Sequence, residues 1–414
     1  MTVKKGRQIA DKPVLLWIGD AVAHTGFSTV THAVLDNLHR KWDVNVLGIN
    51  YFGDPHPYAY KVWPASGYSG DVYGISRLPD LLQRIRPAVV CILNDPWVAN
   101  SYISVIQDHN KRIEAHYAKM SETRADLPPP VFVKIVLYTP IDALNIKSDF
   151  VEPLNVADRV VAYTEFGVNE MRKGGLTAET AVIPHGIDVS QFYPMPRQEA
   201  RRVLNLPLDW YIVGLINRNQ PRKRLDLAIE YMAAWTENKP SNVKFYYHGA
   251  LSDVGWDVVD LCRYYGIEDR LILTSDKLSA YNGVSRDVLR AVYNSFDVQI
   301  STTMGEGWGL TTMEGMACRV PQIVPDWSAL GEWPRGAVHY VECTSKGSHT
   351  GGINTIGGIA DKIQFIEALE RMYVNTDYRA SIAEAGYKLV RQPQFTWSSV
   401  AARFDAVFKE VVND

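Results

Sequence analysis

Two glutamates, Glu306 and Glu314, stand eight positions apart in the stretch GEGWGLTTMEG, and Gly305, Gly307 and Gly309 surround the first of them. Carboxylates accept hydrogen bonds from hydroxyl groups, and glycines let backbone N–H groups approach a ligand closely. The stretch follows the run DVQIST, which reads as a strand, and leads into LTTMEGMAC, which reads as a helix. A helix N-terminus beyond the carboxyl end of a parallel strand offers unpaired N–H groups and the positive end of a dipole. That combination suits a ligand that is anionic and rich in hydroxyls. Taken alone, the stretch is equally compatible with a plain turn in which Glu306 complements a helix end and Glu314 is solvated.

A second cluster favours the ligand. In NRNQPRKRLDLAIE, Arg218 and Lys223 stand five apart directly after another apolar run. A guanidinium fork and an ammonium point charge at a strand end suit a diphosphate, whose charge they neutralise without a metal. Arg222 and Arg224 read as the solvated face of that cluster. Elsewhere, Asn94 and Asp95 fit a helix-start turn better than an acceptor cleft, and Tyr51, Asp54 and His56 fit turn chemistry. His185 reads as a packed residue. Trp308 and Trp327, beside the proposed site, are expected to serve a ligand rather than the core.

The elements that must position these groups alternate in type along the chain. PVLLWIG, DVNVLGI, AVVCILN, VFVKIVLY and RVVAY read as strands of a first parallel sheet, and YIVGLIN, VKFYYHG, RLILT, DVQIST and PQIVP as those of a second. Helix-like segments such as RLDLAIEYMAAW and SRDVLRAVYNSF separate them. A long helix starts near Val98 and ends before the prolines of MSETRADLPPP. The expected class is α/β, with two doubly wound Rossmann-like domains. A proline-rich connection places the boundary near Met195, giving domains 1–195 and 196–395 and a terminal amphipathic helix over 396–414.

Several chemistries are disfavoured by missing motifs. The chain has no GxxxxGK[ST] phosphate loop, no HExxH, no GxSxG and no DxD pair. The formal charge of −3 gives no global attraction to nucleic acid or an anionic membrane. Cys91, Cys262, Cys318 and Cys343 lie far apart and read as reduced thiols. No apolar run approaches the roughly 20 residues needed to span a bilayer, and the N-terminus lacks a signal-peptide core, so a cytoplasmic location is expected. Lys4, Lys5, Arg7 and Lys12 read as a solvated terminus.

With these motifs in hand, the chain resembles the GT-B glycosyltransferases, specifically the retaining family 4 (glycosyl transferases group 1). EGWGLTTMEGMACRVP is similar to the family's E-x7-E signature, VIPHGIDVSQFYP to its interdomain segment, RNQPRK to its R-x4-K element, and FTW to the start of its terminal helix. The resemblance implies a fold of two Rossmann-like domains facing across a cleft, the terminal helix crossing back to the first. It implies that Glu306 contacts the donor sugar, that Glu314 contacts the ribose, and that Arg218 and Lys223 hold the diphosphate. Backbone around Gly307, Trp308, Gly309, Leu310 and Thr311 would face sugar and phosphate, and Gly26 in HTGFSTVTHAVLDNL would lie in a glycine loop over the donor, while His24 reads as a turn histidine rather than a donor contact. Asp142 in YTPIDALNI remains where many relatives carry a His-Asp pair, and Arg319 stands where glycine is usual.

The function so implied is retaining, metal-independent transfer of a hexose or pentose from a nucleotide diphosphate sugar, a UDP or GDP sugar first, to a hydroxyl acceptor. No other cofactor and no metal site is expected. The acceptor would be a glycan or small molecule; a hydroxymethylated DNA base is the alternative. Rivals of other classes are a phosphorylase or epimerase of the same fold and a noncatalytic nucleotide-sugar-binding or scaffold protein. Nucleobase contacts are expected near Thr274 and Ser275. No residue pattern marks an oligomeric state.

Overall fold

The computed structural model describes residues 12–22, 25–65, 70–124, 126–251, 253–275, 277–279 and 282–413. His24, Lys4, Lys5 and Arg7 lie outside them. In the first domain, strands β1 (Val14–Asp20), β2 (Asp43–Ile49), β3 (Lys61–Pro64), β4 (Val89–Leu93), β5 (Lys134–Thr139), β6 (Arg159–Ala162) and β7 (Thr180–Val182) form one sheet in the order β3-β2-β1-β4-β5-β6-β7. Every pairing in it is parallel. In the second, β8 (Tyr211–Ile216), β9 (Val243–His248), β10 (Leu271–Leu273), β11 (Val298–Ile300), β12 (Gln322–Pro325) and β13 (His339–Val341) follow the order β10-β9-β8-β11-β12-β13, again parallel.

The continuous apolar runs have their reason in this layering. Helices cover both faces of each sheet, so successive side chains of β1 and β4 are buried whichever way they point. Each sheet reverses its strand order once, between β1 and β4 in the first and between β8 and β11 in the second. Crevices open at such reversals, beyond the carboxyl ends of the strands. The two crevices face each other.

Strands β3, β7 and β13 escape the sequence reading because three or four residues at a sheet edge carry too little periodicity. A further departure is the antiparallel hairpin of β14 (Cys343–Ser348) and β15 (Ile356–Ala360), whose Gly, Ser and Thr content reads as loop. It reaches the first domain, where Leu144 and Ile356 exchange two backbone hydrogen bonds of 2.9 Å. Lys147 Nζ also donates to Gly352 O at 2.7 Å.

The long helix covers Pro96–Ser121 and the terminal one Trp397–Asn413. The latter buries Val400, Phe404, Phe408 and Val411 on one stripe and packs on helix Gly26–Leu38 of the first domain. Phe404 meets Trp17 and Tyr138 edge-on, with ring centroids 5.7 and 4.8 Å apart. Asp405 accepts from Lys41 (2.7 Å) and Trp42 Nε1 (2.9 Å). Met195, at the expected boundary, is tied to the second domain by its N–H donating to Asn294 Oδ1 at 2.8 Å.

Candidate active site

The E-x7-E stretch folds as a turn followed by helix Leu310–Ala317. Gly309, its N-cap, has φ of 95°, a left-handed conformation that favours glycine, and a Cβ there would lie 2.7 Å from Leu330. Gly305 and Gly307 are required by packing instead. A Cβ on Gly305 would overlap the carbonyl of Asp142, and one on Gly307 would sit 2.7 Å from Pro140 Cβ. The turn is thus pressed against the loop that follows β5 in the other domain. Gly26 makes a matching contact from the first domain: a Cβ there would meet Leu310 at 3.3 Å.

A cleft of about 1140 Å³ runs between the domains, lined by Gly26, Arg218, Leu310, Thr311 and Glu314 among others. Arg218 is half-exposed and forms a bidentate pair with Asp253, at 3.0 and 3.1 Å. Glu314 Oε2 accepts from the Tyr293 hydroxyl at 2.5 Å. Burial pushes the Glu314 carboxyl up to about 7, with the Tyr293 hydrogen bond opposing. His248 also lines the cleft, its Nδ1 2.8 Å from Thr274 Oγ1, and burial lowers it to about 4, so it is neutral near pH 7.

Lys223, Glu306 and Asp142 form a second group, behind the cleft lining. Lys223 Nζ lies 2.5 Å from Glu306 Oε1, both side chains little exposed. Arg222 spans the domains, its Nε 3.1 Å from Asp142 and its Nη1 3.4 Å from Glu306, while it also donates to Gly305 O. Burial opposes ionisation of Glu306, but Lys223 and then Arg222 hold its carboxyl below the usual range. Burial lowers Lys223 even though Glu306 opposes the shift.

Two expectations are corrected. Arg222 is no solvated face: the three-residue 3-10 turn Pro221–Lys223 sends it and Lys223 to one carboxylate, and the charged neighbours RKR hide that difference in sequence. The rings of Trp308 and Trp327 serve packing. Trp308 is buried, stacks on Trp333 at 4.8 Å and directs Nε1 to Met313 Sδ, while Trp327 lies under Gly358 of the hairpin, whose missing Cβ makes room for it. Arg224 pairs with Asp226 at 2.9 Å, outside the site. His185 is buried, as read, with neither ring nitrogen partnered.

Comparison with known proteins places this geometry. Residues 196–388 match the family described as Glycosyl transferases group 1. The match lies within the second domain. A D-inositol 3-phosphate glycosyltransferase of Actinosynnema mirum is 30% identical to the chain over 189 residues, covering 43% of this chain and 42% of that protein. The chain spans about half the length of the curated relatives it matches. Among solved structures, a sucrose-phosphate synthase of Thermosynechococcus elongatus superposes with a TM-score of 0.72 at 15% identity, covering 97% of this chain and 100% of that one. HepE of Anabaena, solved with UDP-glucose, gives 0.68 at 14% identity, covering 96% and 99%. The whole chain has the GT-B fold, and the region matched by the family carries Arg218, Lys223, Glu306 and Glu314. Among the described residues, no helix is long and apolar enough to cross a membrane, and no three His, Cys, Asp or Glu side chains converge to hold a metal ion.

Proposed function

We propose that the protein is a retaining glycosyltransferase that moves a sugar from a nucleotide diphosphate sugar to a hydroxyl acceptor without a metal ion. The observation that carries this reading is the interdomain cleft itself, where a helix N-terminus, Arg218 and Glu314 of the second domain face the Gly26 loop of the first. Amides and a guanidinium suit a diphosphate, and a carboxylate suits ribose hydroxyls. The relatives named as glycosyltransferases, and the neighbour solved with UDP-glucose, support a nucleotide-sugar donor with UDP first.

In this reading the diphosphate lies against the N–H groups of Leu310 and Thr311, and donor entry draws Lys223 from Glu306 onto phosphate oxygen. The freed Glu306 carboxylate then accepts hydrogen bonds from sugar hydroxyls. The acceptor oxygen attacks the anomeric carbon on the face from which the diphosphate departs, and the departing phosphate oxygen takes the acceptor's proton. The protein's contribution is orientation and neutralisation of the leaving group.

The test is the melting temperature of the purified protein with UDP, GDP or ADP, each in EDTA and then in magnesium. A nucleotide at about 100 times its Kd adds roughly 2.7 kcal/mol of apparent stability. Stabilisation by one nucleotide in EDTA is the expected outcome. A shift seen only with magnesium contradicts metal independence, and no shift at all removes the donor site.

A further inference from the structure

Two arginines line the interdomain cleft, and the fold treats them differently. Arg218 is held by Asp253 at 3.0 and 3.1 Å. Arg286 is exposed to the cleft, and among the described residues it makes no hydrogen bond and no ion pair.

The position of Arg286 runs against local preference. It is the first residue of helix Arg286–Ser295, where unpaired N–H groups and the positive end of the dipole repel a cation. The acidic residue of that first turn, Asp287, pairs with Arg290 at 2.8 Å instead. Ser285 caps the helix by accepting from the Val288 N–H, which leaves the guanidinium free. A local conflict of this kind, facing a cleft, is expected where a ligand supplies the missing acceptor.

The course of the donor indicates which part of the ligand that is. In the reading above, the diphosphate lies at the N–H groups of Leu310 and Thr311, and the ribose at Glu314, one helical turn further on. The nucleoside therefore extends along this helix, away from Glu306. Arg286 lies beyond the ribose position, within electrostatic reach of Glu314 and, across the cleft, of Tyr58. Val284 and Leu289, both half-buried, line the same wall, and Leu289 shares a helix face with Arg286. Apolar side chains beside a planar guanidinium suit a flat heterocycle. The Thr274 hydroxyl, where base contacts were expected, is engaged by His248 Nδ1 (2.8 Å) and the Tyr246 hydroxyl (3.0 Å).

We propose that Arg286 selects the nucleobase of the donor, and that it admits the keto bases uracil and guanine over the amino bases cytosine and adenine. A guanidinium carries only N–H donors. It pairs with the carbonyl oxygen of a keto edge and meets an exocyclic amino group donor to donor. This inference rests on the glycosyltransferase reading above and names the donor class of its site.

The experiment uses the full chain in EDTA with matched diphosphates, UDP against CDP and GDP against ADP, and inorganic pyrophosphate as a probe that lacks a base. Titration calorimetry and melting shifts are the readouts. In the wild type, the tighter keto diphosphate is expected to bind about tenfold or more above its amino counterpart. Arg286→Ala shrinks that gap below about threefold and leaves pyrophosphate affinity within about twofold of wild type. Arg286→Gln, whose amide oxygen accepts from an amino group, moves the preference towards CDP or ADP. Both variants remove a cation from a helix N-terminus, so their ligand-free melting temperatures are expected at or above the wild-type value.

Equal binding within each pair by the wild type overturns the inference, as does a gap that persists in both variants. So does a loss of pyrophosphate affinity in Arg286→Ala that matches the loss of UDP, because Arg286 is then a phosphate ligand. In each of these cases nucleotide binding by the wild type leaves the donor reading standing. Silence of every nucleotide and of pyrophosphate removes that reading and this inference together.

Discussion

Lys223 and Glu306 are a buried pair, and that makes their variants informative in two ways. Removing either partner leaves a charge without its main compensation, which costs about 3 kcal/mol or more in such sites. Lys223→Ala should therefore lower both stability and nucleotide affinity, whereas Glu306→Ala should lower stability and sugar transfer while leaving nucleotide affinity near wild type. Denaturant unfolding and nucleotide titration separate these outcomes; matching losses of nucleotide affinity in both would contradict the assigned roles. Glu314 makes a pH prediction. Its folded value of about 7 lies above the ordinary 4.5, so between those values the folded state keeps a proton that the unfolded chain has lost. Stability contributed by this group is thus full below about pH 4.5 and declines as pH rises towards 7. Glu314→Gln should remove on the order of 2–3 kcal/mol of that decline and melt above wild type at pH 8, yet respond less to UDP. Parallel melting profiles from pH 5 to 8 would contradict it. At this scale the motif residues were legible because spacing and charge identify them. Arg222 was not, since its role depends on which way a 3-10 turn directs it.

The turn Gly305–Gly309 and its helix act as one element, shaped by contact with the opposite domain as much as by local preference. Gly305→Ala leaves φ unstrained but drives a methyl group into the Asp142 carbonyl. The turn must then retreat, at about 1–3 kcal/mol, and Arg222 loses its hold on Asp142. The expected result is a lower melting temperature and loss of transfer activity well beyond the loss of nucleotide binding; wild-type turnover would show the contact to be incidental. The terminal helix was legible from its apolar stripe, yet its anchoring was not. Asp405 is an acidic residue on a helix whose burial raises its carboxyl, while hydrogen bonds from Lys41, Trp42 and Lys409 outweigh that and hold it at about 2. Nothing near position 405 in sequence announces partners more than 360 residues away.

Across the whole molecule, the two domains are held by the turn, by the terminal helix and by the hairpin β14–β15. Glu332 adds a cap, accepting from the N–H groups of Glu165 and Phe166 at 3.0 and 2.7 Å, which start a helix of the other domain. The N–H of Ile356 donates one of the two backbone hydrogen bonds of the hairpin bridge. Ile356→Pro removes that donor and should open the domains, seen as a larger radius of gyration in small-angle scattering and a weaker nucleotide shift; unchanged scattering would assign closure to the other contacts. The sequence by itself determined the α/β class and two Rossmann-like domains, and it singled out Arg218, Lys223, Glu306 and Glu314 by type and spacing. Apolar runs, glycine placement and charge spacing are local properties, and local properties survive in one dimension. Only the tertiary structure decided that Arg286 and Glu314 line one cleft, that Arg222 bridges domains, and that Trp308 and Trp327 are packing residues. Those assignments depend on strand order and on which surfaces two separately encoded domains press together, and no spacing along the chain records either.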